Sequence, residues 1–167
     1  MWPLSKLHQV GELAAAVAVV LSLIFVGYEV KQNSDRQRQA TTQTVINAYS
    51  EAMQALTDTP EMACIYVRGI HDFASLTGAE QIKFSALAVR INRIYEDMYY
   101  LMRDGAIEPP IWQGFENAMR EVMQLPGWRD WFDRRRHWYS ADYQSFIIEL
   151  ASQSAAGSIQ NWGSGDC

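Results

Sequence analysis

The most apolar run of the chain is Leu13 to Tyr28 (LAAAVAVVLSLIFVGY), sixteen residues without a charge, bounded by Glu12 and Glu29. Built as a helix at ~1.5 Å per residue it spans about 24 Å, and Val10, Gly11 and Val30 extend it toward the ~30 Å hydrocarbon core of a bilayer. Trp2 and Tyr28 stand near its two ends, where membrane interfaces favour amphipathic aromatics. A cleaved signal peptide needs small residues one and three positions before the cut, and Phe25 to Glu29 offer no such pair. The pattern therefore favours a retained transmembrane helix over a signal peptide or a soluble core helix.

No Gly or Pro interrupts residues 28 to 59, so the helix is expected to continue. Lys31 to Thr44 is polar, with Gln at 32, 37, 39 and 43, and reads as a solvated stalk. From Val45 the apolar positions recur at helical spacing (Ala48, Tyr49, Ala52, Met53, Leu56), and Thr57-Asp58-Thr59-Pro60 stops the pattern. A second helix is predicted over Pro60–His71, and a third over Gly78–Arg103, where Phe84, Leu87, Ile91, Ile94, Met98 and Leu101 alternate spacings of three and four. Asp104-Gly105 ends it, Glu108-Pro109-Pro110 predicts a non-helical connection, and a fourth helix follows over Ile111–Gln124. After a break at Leu125-Pro126-Gly127, residues 128 to 152 read as one helix or two, with Ser140 placed to cap a restart. The tail, 153–167, is small and polar and is expected to be disordered. The expected fold is all-α: a transmembrane anchor over 1–30, a polar helical stalk over 31–44 and a small helical bundle over 45–152.

Composition sharpens this picture in three places. Of 167 residues 49% are hydrophobic and 20% charged, which excludes disorder as the main state. A net charge of -5 and a pI near 5.1 argue against nucleic acid as a partner. The mean hydropathy of -0.19 averages an apolar anchor, a glutamine-rich stalk and an amphipathic bundle. Lys31, Arg36 and Arg38 follow the apolar run, against Lys6 and the amino group before it, which favours a cytoplasmic C-terminal domain. Cys64, in a predicted helix, and Cys167, in the polar tail, carry no pairing signature and agree with that side.

The stretch Tyr28-Glu29-Val30-Lys31-Gln32-Asn33 follows directly on the apolar helix and precedes a polar helix and an aromatic-rich helical domain. This layout resembles an uncharacterised bacterial family of small single-pass membrane proteins. Its members carry a similar juxtamembrane stretch of Tyr, any residue, Val or Ile, Lys or Arg, Gln and Asn. The resemblance implies a bacterial inner-membrane setting, and it brings no activity and no catalytic residues.

Candidate chemistry is sparse. The histidines, His8, His71 and His137, have Arg rather than Glu three residues before the latter two, so no bundle-type metal site is expected and no cofactor is implied. There is no nucleophile elbow, no phosphate-binding glycine loop and no dinucleotide fingerprint, so no enzyme is expected. The third helix carries Arg90, Arg93, Glu96 and Asp97, with Arg93 and Asp97 at i,i+4 spacing; the set reads as a solvated face with surface pairs, the alternative being a polar cluster inside the bundle that could bind a ligand. The most distinctive stretch is Gly127 to Tyr139. Its Trp128, Trp131, Arg134, Arg135, Arg136 and Trp138 are candidates for contact with a membrane interface or a partner. The competing reading, which the continuing stripe of Tyr143, Phe146 and Ile147 favours, puts the tryptophans in the core and the arginines outside. Within the anchor, Ala14, Ala18 and Ser22 repeat every four residues and form a candidate helix-packing face. The functional expectation is a non-enzymatic accessory, scaffold or interaction subunit of a membrane complex. Its partners would be the lipid bilayer and a second copy or another membrane protein subunit. The alternative is a small-ligand sensor with a pocket lined by Tyr95, Tyr99 and the aromatics of the last helices.

Overall fold

The computed structural model describes residues 4–153 and residue 167, with side chains at 11, 12 and from 15 onward. The described residues form an all-α protein: α1 (Leu4–Thr57), α2 (Pro60–His71), α3 (Gly78–Arg103), α4 (Pro109–Val122), α5 (Pro126–Arg135) and α6 (Ala141–Ser152). Single 3-10 turns stand at Phe73–Ser75 and Arg136–Trp138. The chain divides into two units, Met1–Ala40 and Thr41–Cys167.

The described residues of the first unit are all helical. From Val17 to Val30 every large apolar side chain is at least half exposed, reaching 67% at Leu23. This helix is long and apolar enough to cross a membrane, with a mean hydropathy of 1.6 over its best window.

The second unit owes its boundaries to legible caps. Thr59 accepts the Met62 N–H at 3.1 Å, and Pro60 takes the first position of α2, where no N–H is needed. Thr77 and Glu80 form a reciprocal capping box at the start of α3: the Thr77 N–H donates to Glu80 Oε2 at 2.9 Å, and the Glu80 N–H donates to Thr77 Oγ1 at 3.5 Å. That Thr-x-x-Glu signal stands in the sequence but was not part of the reading above. At the other end of α3, Gly105 adopts φ 63°, and its N–H donates to the Met102 carbonyl at 3.0 Å.

Prolines that read as interruptions at two places fall in the first turns of helices instead. The α4 helix starts at Pro109, two residues earlier than the pattern predicted, because both prolines fit the first turn, where their missing N–H groups cost nothing. Glu108 takes the extended conformation that a following proline imposes. Likewise the break before α5 lies at Leu125, and Pro126 and Gly127 are already helical.

The core of this unit gathers Phe84, Leu87, Ile91, Ile94 and Met98 of α3 with Trp128, Trp131 and Phe132 of α5 and Tyr143, Ile147 and Leu150 of α6. α2 packs on α3 and α5, and α4 packs on α3 and α6. The end of α1 joins the same core through Ala52, fully buried, and through Tyr49, whose ring meets Phe115 edge-on at 5.2 Å. Gln153, expected to begin a disordered tail, is held by its side-chain oxygen to Arg120 Nε at 3.1 Å and by its carbonyl to Gln124 Nε2 at 3.1 Å. The remainder of that tail, 154–166, lies outside the described residues.

Candidate functional site

The arginine- and tryptophan-rich stretch separates into a buried half and an exposed half. Trp128, Trp131 and Phe132 fall at helical spacing on one face of α5 and are each 1% exposed or less. Trp131 Nε1 donates to Ser85 Oγ at 3.1 Å, which satisfies the one polar atom of a fully buried indole. Trp128 meets Phe84 and Tyr66 edge-on at 5.9 and 6.3 Å. Neither tryptophan can touch a bilayer or a partner, and this corrects that part of the interface reading. The core reading is corrected in turn at Trp138. The 3-10 turn at Arg136–Trp138 carries its ring off the buried face and leaves it 46% exposed.

The arginines of this stretch behave differently from one another. Arg134 forms two 2.9 Å bonds to Asp130, Nε to Oδ1 and Nη2 to Oδ2. Arg135 spreads its guanidinium among three rings, with centroids at 5.3 Å (Phe73), 5.7 Å (Trp131) and 5.7 Å (Trp138). Arg136 is exposed. Arg135 and Trp138 form one wall of a surface groove of about 440 Å³, opposite Gly78, Ile82, Ser85 and Val89 of α3. Ile82 is 72% exposed there.

Next to this groove Arg93 and Glu96, which read as part of a solvated face with a cluster inside the bundle as the alternative, belong to a buried polar cluster. Glu96 on α3 is 7% exposed and accepts from Arg93 Nη1 at 2.5 Å and from the Ser140 backbone N–H at 2.8 Å. Arg93 therefore pairs with Glu96 rather than with the expected Asp97, and its Nη2 donates to the Trp138 carbonyl at 2.8 Å. Its guanidinium also lies 4.7 Å above the Tyr139 ring. Burial raises the Asp97 carboxyl, the adjacent Glu96 adds to the effect, and Arg93 opposes it. Ser140 does precede α6, yet its hydroxyl makes no cap bond and accepts instead from Tyr100 Oη at 2.7 Å.

Asn92 and Tyr143 complete the cluster: Asn92 Nδ2 donates to the Ala88 carbonyl at 2.9 Å, and Tyr143 Oη donates to Asn92 Oδ1 at 3.5 Å. The Tyr139 hydroxyl is buried and finds no hydrogen-bond partner among the described residues. Burial pushes the Tyr95, Tyr139 and Tyr143 phenols above their ordinary range, so they stay neutral across physiological pH. These groups form a clamp that holds the start of α6 against α3. Its charged members, Arg93 and Glu96, stood out in the sequence as a polar set beside the apolar stripe, and only packing buries Glu96 and joins it to Ser140.

The aromatic rings suggested as the lining of a ligand pocket lie in the core, in contact with one another. Tyr95 and Tyr143 are 3% and 0% exposed, and the Tyr99 ring stacks on Phe146 at 4.9 Å. No group of three or more His, Cys, Asp or Glu suited to a metal ion occurs among the described residues. In the first unit Ser22 Oγ donates to the Ala18 carbonyl at 2.9 Å, and both residues are exposed. Ala14, the third member of that small-residue face, has a side chain outside the described residues.

The two cysteines, which carry no pairing signature in the sequence, form a disulfide. Cys64 of α2 is bonded to Cys167, with their Cα atoms 5.3 Å apart. No sequence spacing announces a bridge between residues 103 positions apart. No family model, curated protein or solved structure gives a significant match to this chain.

Proposed function

We propose that this is a single-pass membrane protein whose helical domain serves as a non-enzymatic scaffold or interaction subunit of a membrane complex. One observation carries the reading: the large apolar side chains from Val17 to Val30 are at least half exposed on a helix long and apolar enough to cross a membrane. Leaving a large apolar side chain in water rather than burying it forgoes about 1.5–3 kcal/mol, and a bilayer removes that penalty along the whole run. The second unit is consistent with a scaffold: its polar groups build a clamp between helices, and its aromatic rings pack on one another.

The resemblance of Tyr28 to Asn33 to the bacterial family supports a bacterial inner membrane. Counted by basic residues alone, Lys31, Arg36 and Arg38 against Lys6, the domain would face the cytoplasm. Partners in this reading are the bilayer and a second copy or another membrane subunit. The acidic balance of the chain disfavours nucleic acid. The side chains open to anionic headgroups are Arg136, Trp138 and the neighbouring Ile82.

The test is fractionation followed by sizing. The full chain should stay in the membrane pellet through an alkaline carbonate wash and run in mild detergent as a complex of defined stoichiometry. Release by carbonate would overturn the anchor, and a monodisperse monomer without bound protein would overturn the scaffold.

A further inference from the structure

The chain has two cysteines and the fold joins them, leaving no free cysteine among the described residues. Cys64 is half-buried on α2 and Cys167 is exposed. Their Cα separation of 5.3 Å lies within the span that a disulfide bridges. Other uses of cysteine are not supported at this place. A metal site needs further ligands, and none gather there among the described residues. A redox-active pair of the Cys-x-x-Cys kind is close in sequence, whereas these two are 103 residues apart. A bridge between distant residues that holds Cys167 to a helix of the core is structural, and structural disulfides persist where the surrounding thiol pool is oxidising.

We infer that the helical domain resides in an oxidising compartment, on the side of the membrane away from the cytoplasm, and that the Cys64–Cys167 bridge forms there. The inference rests on the membrane-anchored reading for its statement of side, while the bridge itself does not depend on an anchor. It opposes the orientation drawn from basic residues. That bias is three charges after the span against Lys6 and the amino group before it, a difference of one. So small a margin sets a weak preference, whereas a cytoplasmic glutathione pool reduces ordinary structural bridges.

The chemistry is a two-electron exchange with a thiol–disulfide oxidoreductase of that compartment. A thiolate of one cysteine attacks the oxidoreductase disulfide and forms a mixed disulfide, expelling one of its thiolates. The second cysteine, deprotonated, then attacks the mixed disulfide and releases the other. In sum, two protein thiols give up two electrons and two protons, and the acceptor disulfide becomes a dithiol.

The experiment uses the full chain in the membrane of a Gram-negative host. Cells are quenched in acid and alkylated with a polyethylene-glycol maleimide, with and without prior reduction, and intact spheroplasts are treated separately with protease. The expected result is no adduct before reduction, two adducts after it, and digestion of the helical domain in spheroplasts. Two adducts without reduction would overturn the bridge, and protection of the domain from protease would overturn the compartment. Single variants Cys64→Ser and Cys167→Ser should each show one adduct without reduction; a variant that stays unreactive would overturn the pairing. Release of an oxidised, unanchored protein by carbonate would instead refute the anchor and leave the bridge standing.

Discussion

Gly127, in the first turn of α5, lies so close to α2 that a Cβ at position 127 would stand 2.1 Å from the Gly69 carbonyl oxygen. The same added atom would be 2.8 Å from the Asp72 and Phe73 backbone nitrogens. Since all three neighbours are backbone, none can swing aside. The crossing of α2 and α5 is set by the absence of a side chain at this residue.

Gly127→Ala is therefore expected to destabilise the domain by about 1–3 kcal/mol, the usual cost of overpacking a tight contact. Gly114→Ala is the control, because nothing lies within 4 Å of a Cβ at that helical position. It should be neutral or stabilising by about 0.5–1 kcal/mol. Thermal melts of the two variants in the same detergent, followed by near-ultraviolet circular dichroism, should move in opposite directions or at least differ in Tm by several degrees.

Trp131 and Trp138 should respond unequally to truncation, although both belong to one sequence stretch. Trp131→Ala removes a fully buried indole that bonds Ser85, and should cost about 3–5 kcal/mol. Trp138→Ala acts at a ring 46% exposed and should leave stability within about 0.5 kcal/mol. Equal losses in chemical denaturation would contradict the split between a buried and an exposed half.

The clamp on α6 makes a third prediction. Glu96→Ala leaves the Ser140 N–H without its acceptor and Arg93 without its partner. The expected loss is about 1–3 kcal/mol, the cost of an unsatisfied buried donor, with little added for an arginine that is half exposed. Glu96→Gln keeps an acceptor for Ser140 and should recover part of the loss. Hydrogen exchange at the Ser140 amide reports the clamp directly: it should quicken in the alanine variant and stay slow in the glutamine one.

Glu80 gives the domain an acid-sensitive element. A side-chain bond from Arg68, then the Thr77 backbone N–H, hold its carboxyl down, from 4.5 to about 2. The folded-state value lies below the unfolded one, so the stabilisation is complete above about 4.5 and is lost as pH falls toward 2. Glu80→Gln should therefore lower Tm at neutral pH, with the gap to the parent closing over that window. A gap that stays constant from neutral pH to 2 would show that the carboxylate charge is not responsible.

Reduction of Cys64–Cys167 should also lower stability. On a chain-entropy account, closing a loop of about 100 residues is worth at most about 4.7 kcal/mol, and the bridge spans a sequence separation of 103. Addition of a reductant should lower the Tm of the parent, while a Cys64→Ser, Cys167→Ser double variant should melt at one temperature with or without it.

What the sequence determined by itself is local. The bounds of α2 and α3, Pro60–His71 and Gly78–Arg103, followed from the Thr59-Pro60 start, the Asp104-Gly105 stop and an apolar stripe too regular to belong to a strand. The exposed run from Val17 to Val30 was equally legible, because hydrophobicity along one helix needs no partner to be seen. The tertiary structure decided what depends on residues distant in the chain. It sent Trp131 inward and Trp138 outward, gave Arg93 to Glu96 instead of Asp97, and turned Gly127 from a chain breaker into a helix contact. It also brought Cys64 and Cys167 together across 103 residues. Helical periodicity says which face of a helix is apolar, but only packing decides which polar atoms on its edge find partners, and only chain closure decides which cysteines meet.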